Sequence, residues 1–386
     1  MSLAPADHKF IWLDFVRGLS AIAVCASHLR AAIIVDYSKL DSGASVLQQI
    51  FYITTGFGHQ AVMVFFVLSG FFVGGSVLRS GQDFSARRYA LARLTRLWVV
   101  LLPALLLTAL VDRILASHAP EVLSGAYYPV WNSGPASGAT YSSGWPTLLG
   151  NLVFVQTILT PVFGTNGPLW SLANEFWYYV LFPLGTVALG WSVGKGTGAW
   201  VARGVAAVLA VAILAWLPRD IRMAYPIWLL GLVVYFTGSR LSTRSRHIAM
   251  AVGLAAFAFA LGYSKSNGLQ ARLMLPVDLT IGVCFCLLCV ALANLPAPKT
   301  MQSGFTRFSH GISAFSYSLY LAHFPIVMVI GALVYGNARL QPSATGLLHF
   351  TGWMVLLLAV GAAFWWLFER KTDSVRHFIS RRVAAR

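Results

Sequence analysis

Three features of the sequence mark an all-α, polytopic membrane helix bundle with about ten transmembrane helices: an apolar excess, a series of apolar runs of bilayer length, and a lopsided placement of basic residues between them. Hydrophobic residues make up 58% of the 386 positions and charged residues 10%. Soluble domains carry about 25% charged residues and roughly 45–50% apolar ones, so this chain could not cover a water-facing surface. Disorder is excluded by the same numbers, because disordered chains are polar and poor in aromatics. The net charge of +16 would point to nucleic acid in a soluble chain. Here the basic residues punctuate apolar runs, so the lipid bilayer is the expected partner and nucleic acid is not.

The first run, Ile11–Val35, exceeds the roughly 20 residues a crossing needs. No small-residue cleavage site follows Leu13–Ala32, so it reads as a span and not as a removable signal. His59–Leu78, Leu97–Ala116 and Leu169–Gly190 are the next three spans. Val205–Leu217 and Tyr225–Thr237 are short, as expected of tilted or protein-buried helices. Ile248–Tyr263, Pro276–Leu295, Ile312–Tyr335 and Thr345–Phe368 complete the set. Ala119–Gly144 is a loop rich in Gly, Ser, Pro, Tyr and Trp. It reads as a connector or as a sugar-facing surface. Trp145–Thr160 is too short to span and reads as interfacial or re-entrant. Of the Lys and Arg outside the spans, 19 fall in one set of alternating loops and ends, including Lys9, Lys195, Arg240, Lys299 and Arg386. The other set holds 6, including Arg272. This segregation predicts that both termini are cytoplasmic. The expected organisation is one transmembrane domain over residues 9–370 and a basic cytoplasmic tail over 371–386.

Ionisable groups inside spans are costly and are functional candidates by default. The first span carries Asp14, Arg17 and His28. Asp14 and Arg17 are spaced to pair on one helix face. Arg17 and His28 lie close to three turns apart, about 16 Å along the axis and on one side. His28 reads either as an interhelical hydrogen-bonding group or as a proton-transfer group. Ser69-Gly70 in the second span allows another backbone, or a slender ligand, to approach closely. Arg88, Arg93 and Arg96 cluster just before the third span. They read as membrane anchors or as a phosphate site, since guanidinium groups bind phosphate bidentately. Asp112-Arg113 reads as a local pair. Glu175 opens the fourth span, and Ser318, Tyr320 and His323 form a polar seam in the ninth. Cys25, Cys284, Cys286 and Cys289 lie in apolar runs. They make no disulfide framework, and no fourth ligand of suitable spacing completes a metal site. The chain has no P-loop, GxSxG or HExxH motif.

With these pieces in order, the chain resembles the acyltransferase 3 family of membrane acyltransferases from about Lys9 to Arg370. The matching segments are Asp14 with Arg17-Gly18 and His28; Phe65-Phe66 leading to Ser69-Gly70-Phe71; Arg93-x-x-Arg96; Trp170-Ser171-Leu172 with Glu175; and Ser316-Tyr317-Ser318 running to Tyr320 and His323. The resemblance implies a ten-helix enzyme of the bacterial inner membrane. It would take an acyl group, acetyl by default, from cytoplasmic acyl-CoA and place it on an extracytoplasmic glycan or lipid-linked sugar. It implies His28 as the catalytic histidine and Arg17 as its companion; Asp14, spaced to pair with Arg17, and Glu175, placed to position the acceptor or hold the fourth helix, are the further catalytic candidates. Arg93 and Arg96 would contact acyl-CoA, with Ser69 lining its path; the neighbouring Arg88 and Gly70 are added to that donor site from their place in the sequence. Trp170, Ser171, Tyr320 and His323 would face the acceptor. Acyl-CoA is then the donor substrate, no metal is expected, and no extra esterase-like domain is expected after the last helix. Direct transfer and an acyl-histidine intermediate both stay open. The rival reading is a transporter or flippase for an anionic or sugar-linked lipid.

Overall fold

A computed structural model describes residues 10–41, 43–131, 138, 141–194, 196–237, 241–265, 274–295, 302–336 and 338–384. Lys9, Lys195, Arg240, Arg272, Lys299, Arg386 and most of 132–140 in the loop read as a connector or a sugar-facing surface lie outside them. Among the described residues the regular structure is helical, with only isolated β-bridges besides. Eight helical stretches are long and apolar enough to cross a membrane: Ile11–Ile33, Gly58–Asp83, Ala86–His118, Thr197–Trp216, Thr243–Lys265, Met274–Leu292, Ser316–Val334 and Ala344–Arg382. The chain is thus a polytopic membrane helix protein. The other two expected spans are also present as helices, Trp170–Ala188 and Arg219–Thr237. Their polar residues leave them short of the apolar content of the eight.

In chain order the helices are α1 (Ile11–Ile33), α2 (Val46–Thr54), α3 (Gly58–Ser69), α4 (Gly75–Ser80), α5 (Ala86–His118), α6 (Pro120–Leu123), α7 (Tyr128–Trp131), α8 (Trp145–Leu152) and α9 (Trp170–Ala188). They continue as α10 (Thr197–Trp216), α11 (Arg219–Thr237), α12 (Thr243–Lys265), α13 (Met274–Leu292), α14 (Gln302–Ala314), α15 (Ser316–Val329), α16 (Ala344–Leu367) and α17 (Thr372–Ala384). A π-helical turn, Gly70–Gly74, joins α3 to α4, and another, Ile330–Val334, extends α15.

Three boundaries differ from expectation, each for a local reason. The fifth span starts earlier than Val205 because the helix accommodates Arg203, whose guanidinium lies 4.3 Å from the Trp200 ring centroid and donates from Nε to the Ala188 carbonyl. The third starts at Ala86, so the arginines ride on the helix itself. The ninth does not run unbroken from Ile312. The chain breaks at Phe315 between α14 and α15, and a carboxylate from elsewhere, Glu369, accepts from the Ser318 N–H in the first turn of α15.

Two compact units divide the chain. The first comprises Met1–Leu19, Gln60–Tyr89 and Asn174–Ser313. Within it, α11 packs on the π turn and on α13, and α12 packs on α13. Glycines set these approaches: a Cβ at Gly70 or Gly231 would collide with the facing backbone at Trp228 or Phe71, and one at Gly253 would press on the Leu288 backbone. The second comprises Ser20–His59, Ala90–Ala173 and Ala314–Arg386. Within it, α15 packs on α16, where Gly361 admits Leu319. Trp131 is buried against Gly331 in a cluster with Val111, Leu115, Val122, Phe324 and Met328.

Candidate functional site

Two histidines meet in the second unit. His28 Nδ1 and His323 Nε2 are 2.8 Å apart, and their rings are nearly parallel. His323 is buried, and its Nδ1 lies 2.9 Å from the carbonyl oxygens of Leu319 and of Tyr320. A carbonyl can only accept, so the proton of neutral His323 sits on Nδ1 and its Nε2 carries the lone pair. That lone pair accepts from His28 Nδ1–H. The remaining nitrogen, His28 Nε2, is left as a free base and makes no hydrogen bond among the described residues. Phe324 stands edge-on to His28, with ring centroids 4.8 Å apart.

The segment leading into α9 forms the wall beside this pair. Pro325 has no N–H, so the Leu321 carbonyl four residues earlier loses its helical partner. Asn166 Nδ2 donates to it at 3.1 Å and to Thr108 Oγ1 at 3.1 Å. Tyr320 Oη donates to the Pro168 carbonyl at 3.1 Å and lies 2.7 Å from Ser171 Oγ. Trp170 stacks near His59, at 6.1 Å between centroids. The expected re-entrant piece is α8 followed by tight turns. Phe154 and Thr157 have φ of 60° and 64°, uncommon for residues with a Cβ and most of all for a β-branched threonine. The turn is over-determined by Thr157 N–H to Thr160 O at 2.7 Å and Gln156 Nε2 to Leu169 O at 3.1 Å. Asp112 does not pair with Arg113. Its carboxylate accepts from Ser143 Oγ at 2.7 Å and from Thr165 Oγ1 at 2.6 Å, and so holds both ends of this segment.

Near the Ala86 end of α5, Arg96 Nη2 lies 3.9 Å from Glu369 Oε1. Glu369 is buried, and its Oε2 accepts from Ser318 Oγ at 2.7 Å and Ser318 N at 3.1 Å. Tyr317 Oη donates to the Leu97 carbonyl at 3.2 Å. The start of α15, the end of α16 and the arginine-bearing turn of α5 are thereby tied together. Arg93 is half-buried and Arg96 exposed on that turn. Arg88 is exposed and belongs to the first unit.

Two further polar networks lie in the first unit. Arg17 Nη2 pairs with Asp14 Oδ1 at 3.0 Å, as the spacing predicts. Arg17 Nε also donates to Ser313 Oγ at 2.7 Å, and His310 Nδ1 lies 3.3 Å from Asp14 Oδ2. Ser69 and Glu175, read separately in the sequence, join through Tyr179. Its hydroxyl donates to Glu175 Oε1 at 2.5 Å and lies 3.1 Å from Ser69 Oγ, which accepts from Trp228 Nε1 at 3.1 Å. The Tyr179 carbonyl, freed by Pro183 four residues on, accepts from Tyr89 Oη at 3.0 Å. The space beside Gly70 is taken by the Trp228 carbonyl.

His28 and His323 therefore meet, as do Ser171 and Tyr320, while Ser69 and Glu175 are linked only through Tyr179. Arg17 and His28 share α1 but belong to different units. Sequence reasoning passed over Asn166, Glu369, Tyr179 and His310. Prolines four residues after Leu321 and Tyr179 were the available signal for Asn166 and Tyr89, since each leaves a carbonyl that needs a donor. Among the described residues no three His, Cys, Asp or Glu side chains group as a metal site.

Residues 10–370 match a family model described as an acyltransferase domain. The acyltransferase MdmB of Streptomyces mycarofaciens is 31% identical over 178 residues, covering 45% of this chain and 38% of that protein. The chain thus aligns with well under two thirds of that relative. No solved structure matches the chain.

Proposed function

The chain belongs to the acyltransferase 3 family and is an integral, multi-pass inner-membrane protein, and from that premise we propose that it moves an acyl group, acetyl by default, from cytoplasmic acyl-CoA to a hydroxyl of an extracytoplasmic glycan or lipid-linked sugar. In this reading ten helices cross the bilayer and both termini are cytoplasmic. The observation that carries it is the 2.8 Å contact between His28 Nδ1 and His323 Nε2, because it leaves His28 Nε2 free to accept a proton.

His28 Nε2 takes the proton of the acceptor hydroxyl as its oxygen attacks the thioester carbonyl. When the tetrahedral intermediate collapses, the C–S bond breaks and the CoA thiolate receives that proton from the imidazolium. The resulting positive charge on His28 is shared with His323 through the Nδ1–Nε2 bond. A positioned base of this kind contributes about 10²–10⁴-fold. Arg93 and Arg96 would take donor phosphates, as the family resemblance suggests and as Arg96's exposed guanidinium beside its Glu369 anchor supports. Ser171 and Tyr320, with hydroxyls 2.7 Å apart beside the pair, would orient the acceptor. The contacts of Ser69, Gly70 and Glu175 support a role in helix packing for those residues.

The test is mass analysis of surface glycans from cells carrying the wild-type chain or His28→Ala. One added acyl unit per modified sugar in the wild type and none in the variant is expected. Equal acylation in both would overturn the assignment of His28, and no acylation in the wild type would overturn the glycan acceptor.

A further inference from the structure

We propose that Arg30, at the end of α1, forms a recognition site for a phosphate or carboxylate group on the acceptor side of the reaction. The word acceptor rests on the acyl-transfer reading; the binding of an anion does not. Arg30 stands two residues beyond His28 and is half-buried. Its Nε is sealed from solvent without a hydrogen-bond acceptor. Among the described residues its guanidinium has no ion pair. It lies over the Tyr52 ring, 5.5 Å from the centroid.

The groups around it are already engaged. Asp36 and Arg339 lie within electrostatic reach of Arg30. Asp36 is held bidentately by Arg339, at 3.1 Å from Nη1 to Oδ1 and 2.7 Å from Nη2 to Oδ2. Arg339 is clamped in turn to the end of α1, where Nη1 donates to the Ala31 and Ile34 carbonyls. The Tyr52 hydroxyl donates to the Val35 carbonyl at 2.7 Å. The carboxylate thus neutralises Arg339, and the unbalanced positive charge of the cluster rests on Arg30.

A guanidinium carries five N–H donors, and leaving the buried Nε–H of Arg30 unpaired is costly. The partner that fits is an oxyanion able to take the planar fork with two oxygens. Such an anion has two sources: an acidic group on the acceptor, such as a uronic acid carboxylate or a sugar phosphate, or the phosphate of a lipid headgroup.

The intact chain in nanodiscs distinguishes them. One arm uses phosphatidylcholine discs and titrates inorganic pyrophosphate at constant ionic strength. The other compares phosphatidylcholine discs with discs containing phosphatidylglycerol. The thermal midpoint is the readout in both. A wild-type midpoint that rises with pyrophosphate marks a soluble or acceptor-borne anion, and one that rises with phosphatidylglycerol marks a headgroup. Arg30→Gln should weaken the active response about tenfold, and Arg30→Lys, which keeps the charge and loses the fork, several-fold. The lysine variant guards against a glutamine variant that does not fold. A wild type without response in either arm, or variants that respond as the wild type does, would overturn the site. Glycan acylation tested with His28→Ala is a separate readout, so either proposal can fail while the other stands.

Discussion

His28 and His323 stand 295 positions apart in the chain, yet their hydrogen bond, together with the two carbonyls at His323 Nδ1, assigns the proton on each. In a serine hydrolase a carboxylate orients the histidine. Here a second imidazole does so, itself fixed by two main-chain carbonyls of its own helix. A neutral pair suits a membrane interior that penalises isolated charge. In the proposed mechanism His323 would act by positioning His28. Replacing it with Phe should lower kcat roughly 10²-fold, on the order of the lower end of a general base's contribution, with the KM for acyl-CoA within about twofold. His323→Gln can still accept from His28 Nδ1 and should recover part of the loss. Steady-state kinetics on reconstituted protein check this, and a Gln variant as inactive as the Phe variant would count against the tautomer argument. Arg96 is partnered differently. Arg96→Glu would face Glu369 as a like charge and should raise the KM for acyl-CoA several-fold, with the thermal midpoint reporting whether the fold is kept. An unchanged KM would remove the arginine from the donor site.

Prolines shape the helices around these residues by what they omit. Pro325 and Pro183 each leave one carbonyl without its helical donor, and a side chain from another segment fills each gap: Asn166 at Leu321 and Tyr89 at Tyr179. The same economy appears at the break before α15, where Glu369 caps the Ser318 N–H. These bonds dock whole segments with one atom pair each. Asn166→Ala strands a buried carbonyl and should cost about 1–3 kcal/mol. In a Pro325→Ala background the helix regains its own N–H, so the same change should cost about 1 kcal/mol less. Thermal midpoints of the four chains in one detergent complete the cycle; strict additivity would show that Asn166 does not serve this carbonyl. The boundaries of α10 and α15 were harder to read from sequence for a related reason. Arg203 is tolerated inside α10 through Trp200 and Ala188, and the break at Phe315 is tolerated through Glu369. A linear pattern registers the interruption and not its remedy.

Across the chain, large apolar side chains stay exposed along the long helices, including Leu106 and Leu110 on α5, Val208 and Val211 on α10, and Leu348 and Val355 on α16. In water such a surface would aggregate; in a bilayer it is the lipid face. Val355 lies near the middle of α16 and is 61% exposed. Val355→Arg should therefore carry an insertion penalty of about 2.5–3.5 kcal/mol, visible as reduced membrane-integrated protein, where Val355→Leu is neutral. Equal yields would place that face away from lipid.

Read by itself, the chain specifies its membrane class, the order of its apolar helices and the Asp14–Arg17 pair. Bilayer thickness and the helical repeat act along the sequence, within a few turns, and leave periodic traces there. That His323 meets His28, that Asp112 holds Ser143 and Thr165 instead of Arg113, and that Asn166 and Glu369 support α15 emerged from helix packing. Those contacts join residues far apart in the chain, and the energy that selects them comes from fitting side chains and unpaired backbone groups in space; a local pattern such as Pro325 marks a carbonyl left unpaired but not the group that fills it.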